Sequence, residues 1–205
     1  MPVKEASDFS AWMTPALSFC GALGAVALTH HFTRRRERLT AEEKRQEDRL
    51  FICIELITVL EDFTLHCADA SHDKGKRVPE PPLLNLLLVP AMPEPVLDFS
   101  VVKGEWKVLP AALMYKLREL PVNVRQTARM LEHLYALNDP YHIRFFNYRR
   151  LHYARAGLRA IWLSARLRRL CKLPASKLVK FPDSPYHDMR RVRKSERSFS
   201  RDRKQ

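Results

Sequence analysis

The chain opens with a long apolar stretch, and no charged residue occurs in the 25 positions between Asp8 and Arg34. A helix needs about 20 mostly apolar residues to cross the hydrocarbon core of a bilayer. We therefore predict a single transmembrane helix over residues 11–32, preceded by a short flank, residues 1–10. Because threonine, proline, serine and two glycines dilute this stretch, a buried core helix is the alternative.

Charges on the two sides of this stretch differ, and they predict its orientation. Four arginines follow it within five positions: Arg34, Arg35, Arg36 and Arg38. The preceding side offers Lys4 and the terminal amino group, offset by Glu5 and Asp8. Positive residues remain on the cytoplasmic side of a membrane. We therefore expect an inner (cytoplasmic) membrane protein with its N-terminus outside and its C-terminal domain in the cytosol. A cleavable signal peptide would instead carry its positive charge before the apolar run.

One side of the predicted span carries small residues. They are Ser18, Gly21, Ala22 and Ala25. Small side chains allow two membrane helices to approach closely. These residues are therefore candidates for helix pairing, through which the chain would form a homo-oligomer.

Helical spacing of apolar residues returns after the arginines. Residues 33–67 predict a juxtamembrane helix, and Thr40 with Glu43 matches a capping box, which marks a fresh helix start. The apolar side of this helix carries Leu50, Cys53, Ile54, Ile57 and Leu60. Residues 68–105 contain six prolines, which exclude a long helix and predict a Pro-rich connector.

The remaining chain is also predicted to be helical. Residues 106–174 predict a helical hairpin or bundle whose helices break near Pro121 and whose last, basic helix stops at Pro174. Residues 175–205 are polar and basic and predict a disordered tail. No strand-like alternation of useful length occurs. The predicted fold class is all-α: one N-terminal transmembrane helix followed by a cytosolic antiparallel helical bundle.

The net charge of +13 adds to this picture because it is unevenly distributed. Residues 1–139 hold 17 Lys and Arg against 19 Asp and Glu, a net charge of −2. Residues 140–205 hold 19 Lys and Arg against 4 acids, a net charge of +15. Such asymmetry indicates an anionic partner: nucleic acid, an anionic phospholipid surface or an acidic protein. A solvated basic face kept for solubility is the alternative.

On the last predicted helix, basic and aromatic side chains share one face. They are Arg144, Tyr148, Arg155, Arg159, Trp162, Arg166 and Arg169. Such a mixture binds phosphates and stacks on bases, and it also lies on an anionic bilayer. The predicted membrane helix favours lipid, because tethering brings this face close to anionic headgroups. These residues are the candidates for anion or lipid binding.

Signals for catalysis are few. The best candidates for metal ligands are His66, Cys67, Asp69, His72 and Asp73, although no Cys-x-x-Cys pair accompanies them. The sequence contains no Gly-rich phosphate loop and no common hydrolase motif. We therefore expect a non-enzymatic interaction, scaffold or regulatory protein with no catalytic residue and no cofactor. The alternatives are a membrane-tethered nucleic-acid-binding protein and an enzyme with a metal at residues 66–73.

Overall fold

The computed structural model describes the backbone of residues 6–80, 85–137 and 143–202, and the side chains of residues 30–78, 88–137 and 143–195. The helices in this part of the chain are α1 (Ala6–His72), α2 (Ala111–Ala136), α3 (Ile143–Leu170) and α4 (Pro185–Asp202). The strands are β1 (Lys76–Glu80) and β2 (Asn85–Val89), and short 3₁₀ turns occur at Trp106–Val108 and Lys177–Val179. The described residues are thus mostly helical, as predicted for an all-α chain. They divide into two compact units, Met1–Glu47 and Asp48–Gln205.

The first unit contains the first part of α1, which continues through the predicted helix start. The hydroxyl of Thr40 donates a hydrogen bond to the carbonyl of Arg36, 3.1 Å away and one turn earlier. A capping hydroxyl would instead accept a hydrogen bond from an amide that follows it. The prediction of a fresh helix start at Thr40 is therefore wrong. All side chains of residues 30–47 are exposed, including the four arginines after the apolar stretch.

The predicted membrane span gains no support from the described residues. Among them, no helix is both apolar enough and long enough to cross a bilayer. Residues 11–32 belong to α1, but most of their side chains lie outside the described residues. So do all the predicted pairing residues: Ser18, Gly21, Ala22 and Ala25. The span and its pairing side stay predictions.

The second part of α1 supplies a large share of the core of the second unit. Cys53, Ile57 and Leu60 are buried, as the apolar spacing predicts. Leu50 and Ile54, however, are 39% and 46% exposed. Three more residues, which lie beside this stripe on the helix, are also buried: Ile52, Leu56 and Phe63. The buried arc is therefore wide, and the two exposed residues lie at its edge.

The connector after α1 starts later than predicted and contains strands. α1 continues to His72, past the predicted boundary at residue 67. β1 and β2 then pair in antiparallel register, from Lys76 opposite Val89 to Glu80 opposite Asn85. The sequence of β2, NLLLV, contains four apolar residues in a row, and such a run does not distinguish a strand from other buried segments. The Pro-rich connector is therefore partly a two-stranded ribbon.

A buried ion pair fixes this connector to α3. The Nη1 group of Arg149 donates to the carboxylate of Asp73 over 2.6 Å, and the two side chains are 0% and 1% exposed. The Nη2 group of Arg149 donates to the carbonyls of Met92 and Pro93, at 2.6 and 3.0 Å. The Asp73 carboxylate also accepts hydrogen bonds from the amides of Gly75, Ala91 and Met92. These hydrogen bonds offset the cost of removing two charges from water.

A second ion pair joins α1 to α3. Arg168 donates two hydrogen bonds of 3.0 Å to the carboxylate of Glu61, and the hydroxyl of Ser164 donates another of 2.7 Å. Burial by itself raises the pKa of Glu61, but these hydrogen bonds outweigh burial and lower the pKa below its usual value. The carboxylate therefore stays ionised at neutral pH and keeps both hydrogen-bond donors.

The α2 helix runs without a break through Pro121, so the predicted break there is wrong. Proline lacks the amide hydrogen that would bond to the carbonyl of Leu117. Leu117, Leu120 and Val124, which flank the proline, are all buried. Their packing keeps the helix continuous across the missing hydrogen bond.

The predicted disordered tail contains α4, which packs against α3. Met189 of α4 is fully buried. Gly157 of α3 makes room for it, because a Cβ atom at Gly157 would collide with the Met189 sulfur. That Cβ would also lie 2.8 Å from the Cβ of Cys67 in α1. Three helices therefore meet at Gly157, and the prediction of disorder is wrong for the residues of α4.

Candidate anion-binding groove

The α3 helix buries one side in the core and exposes most of its predicted basic face. On the buried side are Phe145, Phe146, Tyr153, Ala154, Leu163 and Leu167. The exposed members of the predicted face are Arg144, Arg155, Trp162, Arg166 and Arg169. Tyr148 and Arg159 are half-buried. Helical periodicity therefore brings the basic and aromatic side chains to one side of α3, away from the core.

Beside this face, α3 and α4 border a groove with a volume of about 490 Å³. The charged part of its lining consists of Arg155 and Arg159 from α3 and Arg190 and Arg193 from α4. Two aromatic rings, those of Trp162 and Tyr186, also line it. The apolar part of the lining consists of Leu158, Ile161, Ala165 and Val179. We call this the basic groove, and none of the described residues that line it is acidic.

Most of the positive charge in the basic groove is not neutralised by a described carboxylate. Arg159 forms an ion pair with Glu119 of α2. Arg155, Arg190 and Arg193 have no such partner among the described residues, and Arg190 lies 6.0 Å from the centre of the Tyr186 ring. Like charges gathered over an apolar surface repel one another. A bound anion would lower that repulsion, and the groove is therefore suited to an anionic ligand.

Two cationic side chains lie against the indole ring of Trp162. The Nζ atom of Lys116 and the guanidinium of Arg166 each lie 4.9 Å from the centre of the indole ring. The side chain nevertheless remains 41% exposed. A large, partly exposed aromatic ring with two cations beside it is typical of residues that contact headgroups or bases.

Four of the predicted binding residues lie outside the lining of the basic groove. They are Arg144, Tyr148, Arg166 and Arg169. The ring of Tyr148 stacks on His152 with the centroids 3.8 Å apart. Burial, and then the charge of Arg155, lower the pKa of His152, so its imidazole is neutral at neutral pH. Tyr148 therefore packs on a neutral ring, while the arginines extend the basic surface beyond the groove.

Basic residues continue around α4 on the far side of Arg190. A second hollow, of about 540 Å³, is lined by Lys180, Pro182, His187, Arg190, Arg191 and Lys194. Arg191 is partly offset by Asp188, 3.3 Å away. Arg190 therefore belongs to both hollows and joins them into one basic surface.

The groove residues that α4 supplies were missed from the sequence, because residues 175–205 were predicted to be disordered. A signal was nevertheless present: Tyr186, Met189 and Val192 recur at three-residue spacing within the polar segment, and all three pack on the core. This spacing is typical of a helix with a narrow apolar side. It would have placed Arg190 and Arg193 on a helix.

The predicted metal ligands do not surround a common point. Among the described residues, no group of three or more His, Cys, Asp or Glu side chains is arranged to hold a metal ion. Asp73 is occupied by Arg149, and burial raises the pKa of the Cys67 thiol, which disfavours the thiolate that binds metals. The Nδ1 atom of His72 lies 2.9 Å from the carbonyl of Ala68 in its own helix. In the described structure, therefore, these three side chains are engaged in other contacts or buried.

The other two candidates, His66 and Asp69, border a small hollow of about 290 Å³ together with Asp62 and Glu94. The Nδ1 atom of His66 lies 3.9 Å from the Asp62 carboxylate, one turn away. Burial raises the pKa of Glu94. This hollow is acidic, opposite in sign to the basic groove.

Comparisons of the chain with protein-family models, with curated proteins and with solved structures found no match.

Proposed function

We propose that this chain is a membrane-attached, non-enzymatic interaction protein whose basic groove and adjoining α3 face bind an anionic phospholipid surface. The observation that carries the proposal is the convergence of arginines from α3 and α4 with an exposed Trp162. Arginine stems lie along apolar surface while their charged ends reach phosphates, and tryptophan favours headgroup depth. Each basic residue near an anionic leaflet adds about 1 kcal/mol of attraction.

In this proposal, attachment comes from a single membrane helix over residues 11–32. The charge-free stretch is long enough for one crossing, and the exposed arginines 34–36 and 38 follow it directly. Their position supports a topology with the N-terminus outside and the rest of the chain in the cytosol, at the inner membrane. In this proposal the protein acts by binding, as a scaffold or a regulatory subunit.

Attachment is tested by cell fractionation of the full chain and of a version that starts at Thr33. We expect the full chain to stay in the membrane fraction through carbonate and high-salt washes, and the shortened version to become soluble. A full chain that is soluble before any wash would make residues 11–32 a core helix. Nucleic acid would then become the leading partner for the basic surface.

Surface binding is tested by sedimentation of the shortened version with vesicles of phosphatidylcholine, with or without phosphatidylserine. Binding should require phosphatidylserine. Two exposed charges are removed in the variant Arg144→Gln/Arg169→Gln, which should bind about tenfold or more weakly, given about 1 kcal/mol per residue. The matched control, Arg125→Gln/Arg129→Gln, removes two exposed charges from α2 and should bind normally. Equal losses in both variants, or tight binding to polynucleotides with none to vesicles, would contradict the proposal.

A further inference from the structure

Two properties of the basic groove go beyond what attraction to a charged surface requires. First, Arg155, Arg190 and Arg193 come from two different helices, line one groove and have no described carboxylate partner. Second, the same groove is lined by apolar side chains: Leu158, Ile161, Ala165 and Val179. A flat basic face would attract a membrane without such a groove, so the groove indicates a ligand that enters it.

We propose that the basic groove binds one lipid molecule with a phosphomonoester headgroup, such as phosphatidic acid, with an acyl chain over the apolar lining. This inference rests on the proposed function and names the lipid that the same surface selects. Arginine binds phosphate oxygens through two parallel hydrogen bonds, so several arginines suit a group with three free oxygens. A phosphomonoester carries between one and two negative charges near neutral pH. It therefore neutralises more of the charge of the three arginines without a described carboxylate partner than a phosphodiester, which carries one negative charge.

The apolar lining argues against a water-soluble phosphate. Such a ligand would use the arginines and leave Leu158, Ile161 and Val179 facing solvent, whereas an acyl chain covers them and gains from each methylene removed from water. The volume of about 490 Å³ lies within the range of small-ligand sites. It accommodates a headgroup with the first part of a chain.

The test uses the purified full chain in a neutral detergent, titrated calorimetrically with short-chain phosphatidic acid and short-chain phosphatidylserine. We expect saturable one-to-one binding of phosphatidic acid, at least about tenfold tighter than that of phosphatidylserine. The variant Arg190→Gln/Arg193→Gln removes two charges from the groove and should abolish this preference. The matched control, Arg125→Gln/Arg129→Gln, removes two exposed charges from α2, outside the groove and the α3 face, and should keep it. Circular dichroism of both variants checks that α4 and the core remain folded.

Four results would overturn the inference. If the protein binds the two lipids with equal affinity, and both variants lose affinity equally, the lipids are held by the overall positive charge and not by the groove. Glycerol 3-phosphate that binds as tightly as phosphatidic acid would assign the groove to a soluble phosphate, and a polyglutamate peptide that binds more tightly would assign it to an acidic protein. Absence of saturable lipid binding would refute the groove site, while the phosphatidylserine vesicle experiment decides separately whether surface binding stands.

Discussion

Replacing Asp73 by alanine tests what holds the connector against the helices. The change leaves the fully buried guanidinium of Arg149 without the carboxylate that lies 2.6 Å from it. It also leaves three backbone amides without their acceptor: Gly75, Ala91 and Met92. Removing one partner of a buried ion pair costs about 3–5 kcal/mol, which is a large part of a total stability of about 5–15 kcal/mol. We expect Asp73→Ala to lower the free energy of unfolding by about 3–5 kcal/mol.

The assay is urea unfolding of the purified full chain, followed by near-ultraviolet circular dichroism, with the midpoint and slope fitted for each variant. Asp69→Ala, an exposed position in the last turn of α1, four residues before Asp73, is the matched control and should change the free energy of unfolding by less than about 0.5 kcal/mol. The double variant Asp73→Ala/Arg149→Met should cost at least about 2 kcal/mol less than the sum of its single changes, because the two charges interact directly. A loss below about 1 kcal/mol for Asp73→Ala, or additive single changes, would refute the reasoning.

The same pair predicts a pH dependence. Burial raises the pKa of Asp73, but the amides of Met92, Gly75 and Ala91 and the charge of Arg149 outweigh burial and lower it below its usual value. The pKa of Asp in the unfolded chain is about 3.9, and the folded-state pKa of Asp73 lies below it. The ion pair with Arg149 therefore contributes its full stabilisation at neutral pH. It is lost as the pH falls through the folded-state pKa. The difference in stability between wild type and Asp73→Ala should therefore shrink in acid, and a difference that grows would contradict the assignment.

Three further changes probe other parts of the second unit by the same unfolding assay. Gly157→Ala places a Cβ atom against the Met189 sulfur, so it should cost about 1–3 kcal/mol and speed proteolysis within α4; unchanged proteolysis would show that α4 does not depend on this contact. Pro121→Ala restores an amide hydrogen inside α2 and should stabilise the protein by about 1–3 kcal/mol, whereas a loss would mean that the proline ring is needed for packing. Glu61→Ala removes the acceptor of Arg168 and should cost about 2 kcal/mol; no change would place this pair among surface ion pairs of negligible value.

Some structural features could be predicted from the sequence alone because they depend on residues that are close together in the chain. The recurrence of apolar residues every three or four positions predicts helices, and most described residues are helical. The same periodicity predicts that Arg155, Trp162 and Arg166 share a face of α3, and all three are exposed. The uneven charge is likewise a property of the sequence, with a net charge of +15 in residues 140–205.

Other features were missed because their signals come from distant residues. Pro121 predicts a helix break, and only the tertiary structure shows that the buried residues on both sides of it, Leu117 and Leu120 before it and Val124 after it, hold the helix in place. No residue near Arg149 in the chain indicates that its partner is Asp73, 76 residues earlier. The only local sign is that Arg149 lies four residues from Phe145 and from Tyr153, both of which are buried. An arginine at such a position requires a buried acceptor, but sequence spacing does not say which one.

By itself, then, the sequence determined the helical class, the location of the positive charge and the residues on the basic side of α3. Each of these follows from side chains within a few turns of one another, where helix geometry fixes their relative positions. Only the tertiary structure decided that a groove exists. It required Met189 of a segment that reads as disordered to pack into the space left by Gly157, which brings Arg190 and Arg193 beside Arg155. A polar helix with one narrow apolar side has little stability in isolation, so packing against α3 supplies the stability that forms it and completes the groove.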